Sequence, residues 1–410
     1  MTQPTIAGVS PRDSLRPETV DELASGVREL HAAGRAMAFV GGGTELELGN
    51  RPRALDTIVH TAALDRVVDY TPEDQTITVE AGMTFAELDR VLAANGQMLP
   101  LDVPDRERST VGGAIATNAY GRRRLRYGTA KDLIVGVTMV RPDGTLARGG
   151  GKVVKNVAGF DLPKLMVGSL GTLGAIATAT FRLYPLPHAT RAAIVHVSRV
   201  SQIDAFVEAL IARALEPESV AFYGTDALVV TFSGGEAGVE SQMTALRLLA
   251  GKHGLESVAL TELERESYEQ RERAVHRDGE WRTTAVAPPR AGVWSASSYL
   301  AIGQTPVATA LTAVPVVYPS LGIARFAYGS AAVPPSDGRS VDWHVDGLRE
   351  HFAARTDGAG RVTVTAMPAS ARGTVDTWGT PPPSFPLMQA LKERFDPRGL
   401  CNPGRFVGGL

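Results

Sequence analysis

A single cysteine, Cys401, is all the thiol that this 410-residue chain carries. One thiol excludes an intramolecular disulfide and any cluster ligated by four cysteines of the same chain. The sequence also lacks a run of eighteen apolar residues, and residues 1–16 lack the charged-then-apolar pattern of a signal segment. A soluble, cytoplasmic protein is the expectation. An excess of one charge is missing too: Lys plus Arg number 42 and Asp plus Glu 44, a formal charge of −2, which leaves no electrostatic footprint for nucleic acid. The local exception is Arg122-Arg123-Arg124 with Arg126. Such a run could attract an acidic substrate or a phosphate, but three adjacent arginines read better as a solvated loop.

Glycine, by contrast, is clustered. Residues 152–176 hold Gly168, Gly171 and Gly174 at a spacing of three between two apolar runs, a pattern that lets a backbone pass close to a large flat or phosphorylated ligand. Upstream, Val40-Gly41-Gly42-Gly43-Thr44 closes an apolar run at 36–40 that reads as a buried strand. Glycines directly after a strand let N–H groups turn inward as an anion nest, with the Thr44 hydroxyl as a further donor; a plain tight turn is the other reading. The Gly-Lys-Ser/Thr ending of a P-loop is absent, and the sixth position of a G-x-G-x-x-G begun at Gly41 is Leu46, so neither familiar phosphate loop is present. A third segment carries Pro104-Asp105, then residues 109–121 with Thr110-Val111-Gly112-Gly113 and Ala116-Thr117-Asn118, then Arg126-Tyr127-Gly128. Small residues with a hydroxyl and an amide among them suit a ribbon against a ring system, although each alone could be core packing.

In this order the segments resemble the FAD-binding domain of the vanillyl-alcohol-oxidase type, the PCMH-type fold. The resemblance runs from Val40-Gly-Gly-Gly-Thr44 through Glu80-Ala81-Gly82, Thr110 to Gly113, Thr117-Asn118, Arg126-Tyr127-Gly128 and Gly168 to Gly174, and resumes at Asp396-Pro397 and Asn402-Pro403-Gly404-Arg405. It covers residues of about 36–186 and the last twenty. Within that family, Lys155-Asn-Val-Ala-Gly159 followed by Asp161-Leu-Pro-Lys-Leu-Met most resembles the FAD-binding subunit of glycolate oxidase.

The resemblance implies an α+β fold: a two-subdomain PCMH-type FAD-binding domain at 1–187, an α+β cap at 188–385 that meets substrate or partner, and a C-terminal segment at 386–410 returning to the first domain. It implies FAD contacts at Val40, Gly41, Gly42, Gly43 and Thr44 for the pyrophosphate. Further contacts are expected at Pro104, Asp105, Thr110, Val111, Gly112, Gly113, Ala116, Thr117, Asn118, Arg126, Tyr127 and Gly128, at Gly171, Thr172, Gly174, Ala175 and Ile176, and at Asn402. Members with covalent flavin often carry a histidine near the first glycine turn. Thr44-Glu45-Leu46 stands there instead, so non-covalent FAD is expected, and His60 reads as an ordinary strand residue.

The length, well past one average domain, independently sets two lobes as the default. Residues 17–33 read as a helix capped by Thr19 or Asp21, with Val20, Leu23, Ala24, Val27 and Leu30 on one face. Short strands are read at 36–40, 58–62, 67–70 and 75–79, a helix at 85–95 before Gly96, a hairpin from 133–141 through Pro142-Asp143-Gly144 to 146–148, and a strand at 175–183. Past Tyr184-Pro185-Leu186-Pro187, strands at 191–197, 219–223 and 227–232 alternate with helices at 203–215 and 239–253. A polar helix at 261–276, strands at 293–300, 323–328 and 361–366, and helices at 341–355 and 386–395 complete the reading.

In the resembled fold a hydride passes from carbon to flavin while a base takes the hydroxyl proton. No catalytic residue is identified here. The Gly-Asp-Gly-Asn-x-His motif of related D-2-hydroxyacid dehydrogenases is absent, and His188, His196, His253, His276, His344 and His351 form no grouping of metal-ligand type, so no metal is expected. Arg290, Arg325 and Arg372 are candidates for a substrate carboxylate. Lys152, Lys155 and Asp161 could position flavin, face a partner or form a salt-bridged turn. Three readings stand. One is the FAD-binding redox subunit of a glycolate-oxidase-like complex that oxidises glycolate to glyoxylate, or D-lactate, beside a homologous catalytic flavin subunit and an iron–sulfur subunit, docked through them at the inner face of the membrane. The second is a self-sufficient FAD-dependent dehydrogenase or oxidase of a 2-hydroxy acid or alcohol. The third is a structural subunit that keeps flavin only for stability.

Overall fold

The computed structural model describes residues 4–151, 160–199, 201–224, 227–277, 280–286, 315–328, 343–355 and 360–410. The chain forms two compact units: residues 1–121, 127–186 and 376–410 make the first, and residues 122–126 and 187–375 the second. Helix and sheet are mixed in both, as the α+β reading requires.

The first unit begins with β1 (Asp13–Leu15), α1 (Val20–Ala32), β2 (Met37–Val40) and β3 (Thr57–His60), whose strands form a parallel sheet in the order β1-β3-β2. Helix α1 starts where Thr19 accepts the Glu22 amide at 3.1 Å, which satisfies one of the donors that a helix start leaves open. Its Leu23, Val27 and Leu30 bury against Met37 and Val59. Next come β4 (Val67–Thr71), β5 (Thr76–Glu80), α2 (Phe85–Ala93), β6 (Gln97–Met98), α3 (Val111–Thr117), α4 (Arg124–Tyr127), of which only Tyr127 belongs to this unit, α5 (Ala130–Leu133), β7 (Ile134–Val140), β8 (Leu146–Gly150), α6 (Leu162–Met166), β9 (Ala175–Arg182) and β10 (Tyr184–Pro185). An antiparallel sheet runs β4-β5-β9-β7-β8. Alternation along β5 sends Ile77 and Val79 inward against Phe181 and Met139, all with no exposed surface. Thr78, facing the other way, meets Thr180 hydroxyl to hydroxyl at 2.9 Å.

Residues 111–117 are a helix where the sequence reads as a ribbon. Thr110 caps it by accepting the Gly113 amide at 3.3 Å. Two glycines are poor helix formers, but a Cβ on Gly112 would meet that of Ala81 at 2.7 Å, so tertiary packing demands Gly112 there.

The second unit carries β11 (Ala189–His196), α7 (Ser201–Ala212), β12 (Ser219–Tyr223), β13 (Ala227–Gly234), α8 (Glu236–Lys252), β14 (Glu256–Ala259), α9 (Glu262–Arg277), β15 (Trp281–Val286), β16 (Val316–Tyr318), β17 (Ile323–Tyr328), α10 (Trp343–Arg355) and β18 (Arg361–Ala366). Its eight-stranded antiparallel sheet runs β14-β11-β13-β12-β16-β17-β15-β18. The first four strands, with α7 and α8 between them, have the split βαβ arrangement of a ferredoxin-like unit. The last four repeat that order from the other edge, as β18-β15-β17-β16. The two halves join where β12 pairs with β16, Phe222 opposite Val317. Phe206, Phe222, Phe232, Trp281, Phe326 and Phe352 fill one core over the sheet, none more than 2% exposed.

Strands β15 and β16 lie outside the strands that the sequence suggests, and the strand read at 293–300 lies outside the described residues. From Asp376 the chain belongs to the first unit again and forms α11 (Phe385–Phe395).

Candidate functional site

The first unit holds a partly open cavity with three walls. One wall is the turn after β2, where Val40, Gly41, Gly42, Gly43 and Thr44 line the space with Glu45 and Leu46. This turn packs so tightly on the segment before α3 that side chains have no room. A Cβ on Gly41 would lie 2.0 Å from the Thr110 hydroxyl oxygen, and one on Gly42 1.5 Å from the Arg108 carbonyl oxygen. Gly43 sits at φ +69°, a left-handed conformation natural to glycine. Among the described residues, nothing accepts a hydrogen bond from the amides of Gly41, Gly42, Gly43 or Thr44. The Thr44 hydroxyl lies 3.3 Å from that of Ser109.

A second wall is Pro104 with Thr110, Gly112, Gly113, Ala116 and Thr117, the exposed side of α3 and its approach. A third is Leu170, Gly171, Gly174 and Ile176, with Asn402 and Arg405 from the C-terminal segment. Gly171 has φ +68° and Gly174 φ +140°.

The remaining residues singled out from the sequence lie off this cavity. The Asp105 carboxylate and carbonyl hold the Arg108 and Ser109 amides. Val111 and Ala175 are core residues. Asn118 ends α3 in the left-handed conformation with its side-chain oxygen buried and without a hydrogen-bond partner. Thr172 is buried, its hydroxyl donating to the Ser169 carbonyl at 2.7 Å. Tyr127 stacks edge-on against Tyr184, and Gly128, at φ +81°, abuts the Asp132 carboxylate that caps α5.

Arg126 belongs to the second unit and donates to the Ser233 carbonyl. The arginine run is therefore not a solvated loop. Arg122 pairs with Glu269 at 2.7 Å and Glu272 at 3.8 Å, and Arg123 with the buried Glu218 at 3.2 Å. Carboxylates spread over α9 and the start of β12 meet these guanidiniums only in the fold, which is why adjacency in sequence misled.

Sequence reasoning passed over Ile6, Phe39, Thr61, Val103, Ala114, Ala119 and Leu170, which also line the cavity. All but Thr61 are apolar, and apolar character carries no signal of a site. Arg405 is different: it closes the Asn402-Pro403-Gly404-Arg405 motif, is 3% exposed, and donates to the carbonyls of Leu46 and Leu48.

On the second unit's sheet, the Arg325 guanidinium of β17 donates to Nε2 of His276 on α9, and the Tyr318 hydroxyl of β16 donates to the Glu272 carboxylate. Burial, followed by the neighbouring Arg325 and Arg282, pushes the His276 pKa well below its usual value. Burial and then Glu272 push the hydroxyls of Tyr223 and Tyr318 well up. The folded chain keeps His276 neutral while the unfolded chain protonates it near pH 6.5, so the unfolded state binds more protons as the pH falls below that value. Stability is therefore lost toward acid, by up to about 1.4 kcal/mol per pH unit for one such proton. His276→Gln keeps an acceptor for Arg325 and does not titrate. Urea unfolding at pH 8, 6.5 and 5 is expected to show a shallower acid loss for this variant than for the wild type; parallel losses contradict it.

Of the other candidates, Asp161 caps α6 and pairs with Lys164 at 2.9 Å, and Arg372 donates to the Met367 carbonyl. Lys152, Lys155, Arg290 and the side chains of His344 and His351 lie outside the described residues. Among the described residues no three His, Cys, Asp or Glu side chains group as a metal site, and no helix is long and apolar enough to cross a membrane.

Residues 11–150 match the FAD binding domain family. The chain is 29% identical to glycolate oxidase subunit GlcD of Bacillus subtilis over 218 residues, 53% of this chain and 46% of the relative. It is 34% identical to D-2-hydroxyglutarate dehydrogenase of Xanthomonas citri over 171 residues, 42% and 36%. With glycolate oxidase subunit GlcE of Escherichia coli it shares 33% over 189 residues, 45% and 52%. The aligned part thus spans a third to a half of these relatives' lengths. A solved structure of alkyldihydroxyacetonephosphate synthase superposes with a TM-score of 0.68 over 96% of this chain and 77% of that one, at 16% identity, a likeness of fold alone. FAD is accordingly the cofactor of this domain.

Proposed function

We propose that this chain is an FAD-dependent oxidoreductase of 2-hydroxy acids, acting as the FAD-binding redox subunit of a glycolate-oxidase-like complex. The observation that carries the reading is the glycine turn: four consecutive amides, at Gly41 to Thr44, facing a cavity with nothing in the described chain to accept from them. These half-buried residues leave four adjacent N–H donors open on the cavity side, and a pyrophosphate supplies acceptors for such a nest. The cavity fits FAD in a second way. Close packing at Gly41, Gly42 and Gly112 leaves a side-chain-free floor along which a flat ring system can lie.

In this reading Gly41, Gly42, Gly43 and Thr44 hold the pyrophosphate. Thr110, Gly113, Thr117 and Ile176 flank the ribityl chain and isoalloxazine, and Asn402 and Arg405 close the space from the C-terminal side. The buried Arg405 adds positive charge beside the turn, which favours an anion there. Bound FAD supplies the hydride acceptor. The chain's own groups bind and orient it and exclude water.

The relatives named as glycolate oxidase subunits support the subunit reading, with a homologous flavin subunit and an iron–sulfur subunit as partners; the lone cysteine of this chain is in keeping with clusters held elsewhere. A second reading, a dehydrogenase that turns over alone, is favoured by one observation. The second unit gathers His276, Tyr318, Arg325 and Glu272, groups able to hold a carboxylate and move a proton. Anaerobic mixing of the purified, flavin-loaded chain with glycolate or D-lactate separates the two. The subunit reading expects a flavin that dithionite bleaches and neither acid bleaches until partner subunits are added. Rapid bleaching of the isolated chain by either acid would overturn it in favour of the second.

A further inference from the structure

Helix α11 ends in the pair Lys392 and Asp396, four residues apart, with Pro397 next in sequence to stop the helix. The pair is buried, its side chains 9% and 0% exposed. Lys392 uses all three ammonium donors: to the Asp396 carboxylate at 2.6 Å, to the Cys401 carbonyl at 2.9 Å and, across the unit, to the Thr172 carbonyl at 2.8 Å. Asp396 in turn accepts the amides of Leu400 at 3.1 Å and Cys401 at 2.8 Å. A buried ion pair is costly unless its remaining hydrogen-bonding capacity is met, and here it is met by backbone.

Those backbone groups adjoin residues of the cavity wall. Thr172 sits between Gly171 and Gly174, and Asn402 donates to the neighbouring Leu170 carbonyl at 2.7 Å. The same stretch joins β2 just before the glycine turn: the Met37 amide donates to the Leu400 carbonyl at 2.7 Å, and the Asn402 amide to the Met37 carbonyl at 2.8 Å. Further on, Arg405 holds the carbonyls of Leu46 and Leu48 on the far side of that turn. One C-terminal strap therefore ties the two glycine-bearing walls to each other.

We propose that this strap is a latch on the cofactor cavity, with Lys392 as the positioning residue that locks it, so that latch closure and flavin binding are thermodynamically linked. Opening it frees the 170–174 wall and withdraws Asn402 and Arg405, two of the cavity's own linings. The inference rests on the reading that this cavity holds FAD. By linkage, a ligand that binds only the latched form suppresses opening in proportion to its saturation.

The chain carries its own reporter. Cys401 is the sole cysteine, has no exposed surface, and sits inside the latch. Its thiol is held protonated by burial and by the Asp396 carboxylate, partly offset by Lys392, so it reacts only when the latch opens. The test follows the labelling of Cys401 by a soluble maleimide in the full-length chain as FAD is added.

At FAD near 100 times its Kd the labelling rate is expected to fall about 100-fold, and at low urea it should depend on urea far less than global unfolding does. The double variant Lys392→Met/Asp396→Leu replaces the pair by apolar groups of similar size, a change that buried pairs often tolerate. It should label at least ~10-fold faster and bind FAD at least ~10-fold more weakly, about 1.4 kcal/mol, with an unchanged far-ultraviolet spectrum. If that chain does not fold, Asn402→Ala, which removes the bond to Leu170, is expected to label at least ~10-fold faster without FAD; labelling is the readout for this variant, since Asn402 also lines the cavity. Labelling indifferent to bound FAD, labelling as urea-dependent as global unfolding, a double variant that binds FAD like the wild type, or Asn402→Ala labelling like the wild type would each overturn the latch. A wild-type chain that takes up no FAD overturns instead the cofactor reading on which it rests.

Discussion

Gly42→Val is expected to yield a folded chain that binds FAD at least ~100-fold more weakly than the wild type, about 2.8 kcal/mol. The cause is steric and local. The Cβ of any residue here would lie 1.5 Å from the Arg108 carbonyl oxygen and 2.6 Å from its carbon, distances that no rotamer relieves because both atoms are backbone. The turn or the 108–110 segment must move, and with it the amides of Gly41 to Thr44 and the side chain of Thr110 that face the cavity. The strand core beneath, with Val59 and Ile58 fully buried, is not touched by that displacement. Gly238→Ala on α8 is the matched control: nothing lies within 4 Å of its Cβ, and alanine is the better helix former. Fluorescence titration of the apo proteins with FAD reads the effect. Wild-type affinity in Gly42→Val would mean that the turn does not touch the cofactor.

Asp396→Ala is expected to destabilise the first unit by about 3–5 kcal/mol, the loss typical when one member of a buried ion pair is removed. The Lys392 ammonium would remain enclosed with only the carbonyls of Thr172 and Cys401, and the Leu400 and Cys401 amides would lose their acceptor. Urea unfolding in the absence of FAD measures it. The single variant is expected to be much less stable than the double variant Lys392→Met/Asp396→Leu, since the penalty lies in the stranded charge. A loss under about 1 kcal/mol for Asp396→Ala would show that water reaches the pair and that the latch is not sealed.

Much of this was legible because the signals are local. A glycine run after an apolar strand, and glycines at left-handed positions such as Gly43 and Gly171, are required by backbone geometry, so they stand out in a bare sequence. The amphipathic α1 and the strands at Ser219–Tyr223, Ile323–Tyr328 and Arg361–Ala366 follow from periodicity and turn residues in the same way. What escaped depends on distant partners. Helix α3 looked like a ribbon because the need for Gly112 lies at Ala81. The arginines at 122 and 123 looked solvated because their carboxylates, Glu269 and Glu218, are about a hundred residues or more away in sequence. The duplicated order of the eight-stranded sheet leaves no repeat that the eye finds, since only strand order is shared. Lys392 gave no hint at all: a lysine on a polar helix reads as surface until the fold sets it against Thr172.

The most direct test of the central claim, that the first unit's cavity is the flavin site, is amide hydrogen exchange of the full-length chain with and without FAD. The amides of Gly41 to Thr44 find no acceptor among the described residues, and a bound pyrophosphate supplies one. Strong protection by FAD is expected in peptides covering residues 40–46, 109–117 and 168–174. Exchange in those three segments unchanged at saturating FAD would contradict the account.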